Sequence, residues 1–197
     1  MRLKMQIRRN YSQEVRFVAD VQKILSELQY IESDNCLFQD SRVYTYCSPF
    51  LFLAANIDLG YINKYNPPFE SFCDWGAGRG TVLLFTKKMF PRIKYWGVEK
   101  DINLIENSHP FCKPEHADCL TFTRVADINY TFNISWDGEF KKNLFGHIID
   151  LMCPGQLLIE AYDYNERLLH FANKLKTCEV LTKEVVLSPL FTIVRKL

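Results

Sequence analysis

Apolar positions along the chain follow two rhythms, and the change comes close to residue 70. Before it, Val15, Val18, Val21, Leu25 and Leu28 recur three or four apart, which predicts a helix with one apolar face. Ser12 stands where that helix needs an N-cap, and the helix runs to about Leu28. Asp34 to Tyr46 is polar and aromatic and reads as loop. Ser48-Pro49 is a cap and first-turn pair, so Phe50 to Ile57 reads as a second helix. Asp58 to Pro68 is a loop whose closing Pro-Pro cannot continue a helix.

After it, short apolar runs alternate with helical patterns. Ser71 to Asp74, Ile93 to Glu99, Glu115 to Ala117, Phe132 to Trp136 and Gln156 to Ala161 read as strands. Thr81 to Phe90, Asp101 to Asn107, Lys141 to Met152 and Tyr164 to Lys176 read as helices. Strands alternating with helices predict a parallel sheet covered on both faces. The last two strand-like runs, Glu179 to Leu187 and Phe191 to Leu197, are joined only by Ser188-Pro189-Leu190. So short a link cannot form a crossover, so they must pair as an antiparallel hairpin. The expected fold is α/β, a doubly wound and mostly parallel sheet of seven strands closed by that hairpin. Residues 1–68 form a helical, substrate-side cap and residues 69–197 the core of one compact domain.

Composition adds little to this. A length of 197 residues suffices for one core, and 48% hydrophobic with 24% charged residues is ordinary globular usage. A net charge of +1 gives no general basic field, so a nucleic-acid partner would need a local patch. The basic cluster Arg2, Lys4, Arg8 and Arg9 reads as a solvated terminus. Seven scattered cysteines, an odd number, and no apolar run after the basic start favour a reduced, cytoplasmic setting. No apolar stretch approaches the roughly 18 residues of a membrane span.

Candidate chemistry begins at Asp74-Trp75-Gly76-Ala77-Gly78-Arg79-Gly80, between a strand and a helix. Glycines there permit positive φ and close approach of a ligand, and the helix start offers N–H groups to an anionic one. A plain strand-to-helix turn is the simpler alternative. A dinucleotide fingerprint would need a third glycine at Thr81, whereas Gly80 makes the spacing Gly-x-Gly-x-Gly. Downstream, Tyr95-Trp96-Gly97-Val98-Glu99 ends a strand in an acid, the position from which a carboxylate accepts bonds from both ribose hydroxyls. Ala117-Asp118-Cys119 follows the third strand.

Taken in series, these motifs resemble the class I, Rossmann-like, seven-stranded S-adenosylmethionine-dependent methyltransferases over about Phe72 to Leu197. The hairpin belongs to the resemblance. It implies S-adenosylmethionine as cofactor, with Asp74 near its amino group and Gly76, Ala77 and Gly78 facing its methionine part. It implies further that Glu99 holds the ribose and Asp118 the adenine amino group, with Cys119 and Trp136 completing the cofactor-binding set. The departure is Trp75, where a smaller aliphatic residue is usual; the indole either packs under the loop or narrows the methionine end.

Asn66-Pro67-Pro68-Phe69 looks like the catalytic loop of enzymes that methylate an amino nitrogen of a base. That loop belongs after the fourth strand. Here it precedes the first, with too little chain before Asp74 for a strand and a return, so it reads as a stiff entry loop. The fourth strand is expected to end in Ile134-Ser135-Trp136-Asp137-Gly138-Glu139-Phe140, which makes Asp137 and Glu139 the candidate catalytic acids. A turn with solvated acids is the alternative. The string faintly resembles the acidic loop of protein arginine methyltransferases, but no second glutamate follows Glu139 before Glu160. Thr81-Val82-Leu83-Leu84 after the loop loosely resembles the nucleosomal lysine methyltransferases that lack a SET domain. Methyl transfer from an activated sulfonium needs alignment more than a base.

His109, Cys112, His116 and Cys119 are zinc-type ligands, but their spacing matches no finger pattern; they read as incidental residues around a short strand, with no metal. Tyr44, Tyr46, Phe50, Phe52, Tyr61 and Tyr65 either wall an acceptor site or pack the cap onto the sheet. The expected partners are the cofactor and a methyl acceptor, a small molecule or protein side chain in preference to nucleic acid. The rivals are a non-catalytic binding protein of the same fold and a nicotinamide-dependent oxidoreductase.

Overall fold

The computed structural model describes Lys23 and residues 69–132, 134, 137–161, 167–181 and 191–197. The chain divides into two units, Met1–Cys47 and Ser48–Leu197, and Lys23 apart, all described residues lie in the second. The expected helices of residues 12–57, the cap boundary at 68, the aromatic residues 44–65, Asn66 to Pro68 and Trp136 lie outside the described residues.

Strand β1 is Ser71–Trp75, followed by helix α1, Thr81–Met89. Then come β2, Lys94–Glu99, α2, Ile102–Glu106, a short 3-10 turn at Pro110–Cys112, and β3, Glu115–His116. β4 is Ile128–Phe132, α3 Gly138–Leu151 and β5 Leu157–Ala161. The chain continues through α4, Arg167–Ala172, β6, Cys178–Val180, and β7, Phe191–Lys196. Among the described residues, seven strands form one sheet in the order β3-β2-β1-β4-β5-β7-β6. β7 runs antiparallel to both β5 and β6, as expected of the terminal hairpin, and the other pairings are parallel.

The central strands bury nearly every residue: β5 is buried throughout and β4 along its first four positions. Helix α3 covers one face with Leu144, Phe145, Ile148 and Ile149, which meet Cys73, Trp75 and Leu158 in the core. At the amino ends, the Asp127 carboxylate ties β4 to β1, accepting from Glu70 N at 2.7 Å, Ser71 N at 3.0 Å and Ser71 Oγ at 2.9 Å.

One expected strand is displaced. The fourth lies at Ile128–Phe132, and Ile134 falls outside it. Asn129 and Thr131 give 128–132 a polar look, yet both are buried because both are partnered. Asn129 Oδ1 accepts from Ala126 N at 3.0 Å and its amide donates to Ala126 O at 2.8 Å. Thr131 donates to the Glu160 carboxylate. The helix expected from Lys141 begins earlier, at Gly138, because Asp137 caps it.

The topology fixes where a ligand would sit. From β1 the chain steps outward through β2 to β3, then returns to β4 on the other side of β1. The carboxyl ends of β1 and β4 therefore flank a topological switch point, the place where open α/β sheets take their ligands. Among the described residues, no helix is long and apolar enough to cross a membrane.

Candidate functional site

The glycine loop closes β1 at this switch point. Gly76, Gly78 and Gly80 have φ of 80°, 55° and 79°. Gly76 N and Ala77 N both donate to Val98 O at 2.9 Å, so the loop is pinned to β2. A Cβ on Gly80 would meet the Cys112 carbonyl, and Gly80 caps α1 without any side-chain cap. The outer face of Gly78 is open: a Cβ there would meet nothing within 4 Å. Gly97 in β2 is a residue the sequence reading passed over. A Cβ on it would lie 2.7 Å from Ala77 Cβ and 2.8 Å from Leu83 Cδ1, so its bareness lets the loop and α1 press onto β2. A glycine inside a strand beside a glycine loop was the available signal.

Four of the expected cofactor residues converge here. Asp74, the penultimate residue of β1, is 2% exposed. Among the described residues, its Oδ2 has no hydrogen-bond partner. Burial, with Glu99 adding repulsion, pushes its carboxyl up to about 8. Glu99 ends β2. Its Oε2 accepts from Gly78 N at 2.8 Å, while Oε1 accepts from Lys100 N at 2.8 Å and Asp101 N at 2.9 Å. An ionised carboxylate offers about four acceptor positions, so room remains for a further hydroxyl. Asp118 follows β3. Its Oδ2 takes the Lys100 ammonium at 2.7 Å and its Oδ1 accepts from Leu120 N at 3.0 Å, which together hold its carboxyl below the usual range. Lys100 is 76% exposed and its grip on Asp118 is readily exchanged. Cys119 is buried, and burial and then Glu99 push its thiol up to about 12, against a lowering contact from the Gly76 backbone.

The Trp75 indole is fully buried, donates from Nε1 to Asn129 Oδ1 at 3.2 Å and meets Phe122 edge-on at 5.4 Å. It belongs to the core beneath α3.

At the start of α3, Asp137 Oδ1 accepts from Glu139 N at 2.9 Å and Phe140 N at 3.4 Å, the geometry of an N-cap. Glu139 is exposed in the first turn of α3, 3.9 Å from Lys142. The structure therefore adds a helix-start duty for both acids, a duty the start signal Asp-Gly-Glu carried in the sequence. Behind them lies a cluster the sequence reading missed. Lys141 Nζ is 2.6 Å from Glu160 Oε1, with side chains 5% and 0% exposed, and Thr131 donates to the other carboxylate oxygen. A glutamate inside the apolar run Leu157–Ala161 was its signal.

His109, Cys112, His116 and Cys119 do not gather. His109 accepts from Phe111 N and stacks beside Phe111, and His116 Nε2 contacts Lys100 O at 3.1 Å. Among the described residues, no three His, Cys, Asp or Glu side chains are arranged to hold a metal ion.

No protein-family model matches the chain. No curated protein matches it either. Solved structures do. The plantazolicin methyltransferase BpumL, in complex with a triazolic desmethyl-plantazolicin analogue and S-adenosylhomocysteine, is 10% identical with a TM-score of 0.56, covering 90% of this chain and 98% of that one. Human N-acetylserotonin methyltransferase, in complex with S-adenosylmethionine, is 13% identical with a TM-score of 0.49, covering 92% and 66%. The sugar N-methyltransferase KedS8 from Streptoalloteichus is 20% identical with a TM-score of 0.44, covering 55% of this chain; this chain spans 47% of its length. With the strand order, the closing antiparallel hairpin and the glycine loop at the switch point, the chain has the class I, Rossmann-like fold of S-adenosylmethionine-dependent methyltransferases.

Proposed function

We propose that this protein is an S-adenosylmethionine-dependent methyltransferase. The observation that carries the reading is the convergence of Asp74, the positive-φ glycine loop and Glu99 at the switch point, with Asp118 beyond β3. Asp74 would face the amino group of the methionine part, and Gly76, Ala77 and Gly78 its main chain. Glu99 would accept the ribose hydroxyls on its remaining lone pairs, and Asp118 the adenine amino group in exchange for Lys100. Cys119 and Trp136 would complete the pocket. The bound cofactor supplies a methyl group already activated on a sulfonium, so the protein's part is to align the acceptor and exclude water. Asp137 and Glu139 would line the acceptor side and orient the nucleophile. The acceptor is a small molecule or a protein side chain.

The test is calorimetric titration with S-adenosylhomocysteine, wild type beside Glu99→Ala. Binding should weaken about a hundredfold in the variant, as expected when hydrogen bonds to a charged acceptor are lost. A folded wild type that binds nothing would end the reading. The capping duty of Asp137 supports a second reading, a non-catalytic member of the fold. Cofactor binding without methyl transfer across an acceptor screen would favour it.

A further inference from the structure

The side chain of Asp74 sits where strand alternation turns it away from Trp75, under the glycine loop and against Glu99. Among the described residues, the charge that acts on it is that of Glu99, from β2. The neighbouring titratable groups are thiols, Cys73 before it in β1 and Cys119 from the loop after β3. Glu99 cannot relieve it, because a carboxylate that already accepts from the N–H groups of Gly78, Lys100 and Asp101 has no hydrogen-bond donor to offer. A buried carboxyl beside a second carboxylate, with one oxygen lacking a donor among the described residues, favours holding its proton. A cation delivered to that oxygen reverses the preference.

We infer that Asp74 exchanges its proton for the ammonium of the cofactor's amino-acid arm, so that binding the whole cofactor releases a proton and selects for that arm. The inference rests on the cofactor reading above and says what its methionine end demands. The exchange balances simply. The neutral Asp74 carboxyl meets an ammonium already charged in solution, the proton passes to the buffer, and an ion pair remains beside Glu99. A ligand with the adenosine and sulfur but no amino-acid arm, 5′-methylthioadenosine, leaves the proton in place. Glu99 then serves both ends, accepting at the ribose and, by its charge, keeping Asp74 protonated until the right cation arrives.

The experiment is calorimetry of the full chain near neutral pH, in buffers of different ionisation enthalpy, with S-adenosylhomocysteine and with 5′-methylthioadenosine. The expected result is release of close to one proton with the first ligand and none with the second. The S-adenosylhomocysteine affinity should rise about tenfold per unit between about pH 6 and 7.5. Asp74→Asn should flatten that slope and abolish the release. The proton count on wild type decides the matter even if the variant folds poorly. Binding of S-adenosylhomocysteine with no proton release, or equal release with both ligands, overturns the inference while leaving the cofactor reading intact. Failure of a folded wild type to bind either ligand overturns both.

Discussion

Two carboxyls are buried near the carboxyl end of the same sheet, and they are treated in opposite ways. Glu160 in β5 is fully buried and held by Lys141 on one oxygen and Thr131 on the other. Asp74 in β1 is 2% exposed and has an oxygen with no partner among the described residues. The two strands are separated only by β4. Burying a charge is costly wherever it is done, so a side chain that stays buried should find its partners within the protein. Glu160 does, and its cluster fixes the start of α3 against β4 and β5. Asp74 Oδ2 finds none among the described residues, and in the proposed reading its partner is the cofactor's ammonium. The cluster that joins β4, β5 and α3 is the finished side of this comparison, and the Asp74 carboxyl the open one.

The largest effect should come from breaking the finished side. Lys141→Ala leaves Glu160 buried without its cation, and the expected loss is about 3–5 kcal/mol of folding stability, read from denaturant unfolding. Replacing both partners by apolar residues, Lys141→Met with Glu160→Leu, should recover most of that loss, because no charge is then left alone. A double variant as unstable as the single one would show that this pair is not the source of the cost.

Asp74 should show itself in the pH dependence of the unliganded protein. Its carboxyl titrates near 8 in the fold against 3.8 in an unfolded chain, so between those values the folded state holds a proton that the unfolded state has released. Stability should therefore fall as pH rises through this window, by up to about 1.4 kcal/mol per unit from this one group. Below the window the group contributes no penalty; above it the penalty is complete. Thermal melts of wild type and Asp74→Asn should diverge accordingly. Parallel profiles would mean that Asp74 is already ionised in the free protein.

What could be read from the chain follows this same division. The glycine loop and Glu99 were legible because they are local: alternate glycines within five residues and a strand-end acid one βαβ unit on. The finished side was not. Thr131 and Lys141 reach Glu160 across 29 and 19 residues, and the Trp75 indole finds Asn129 across 54. Single residues at such separations carry no mark of each other. Polar Asn129 and Thr131 thus hid the apolar run, and the fourth strand was expected too late. The same gap left Trp75 open to either destination until its partner was in view.

The smallest effect separates two duties of Asp137. As N-cap of α3, its carboxylate takes the N–H groups of Glu139 and Phe140. Asp137→Ala should cost about 1 kcal/mol of stability, and Asp137→Ser or Asn should recover most of it, since either side chain supplies a capping oxygen. Once an acceptor is known, the same variants divide the chemistry from the cap. If Asp137 only caps, methyl transfer should follow stability and return with the serine. If it orients the nucleophile, the serine variant should be as stable as wild type and still slow in kcat, with KM for the cofactor unchanged, because Glu99 and the glycine loop are untouched.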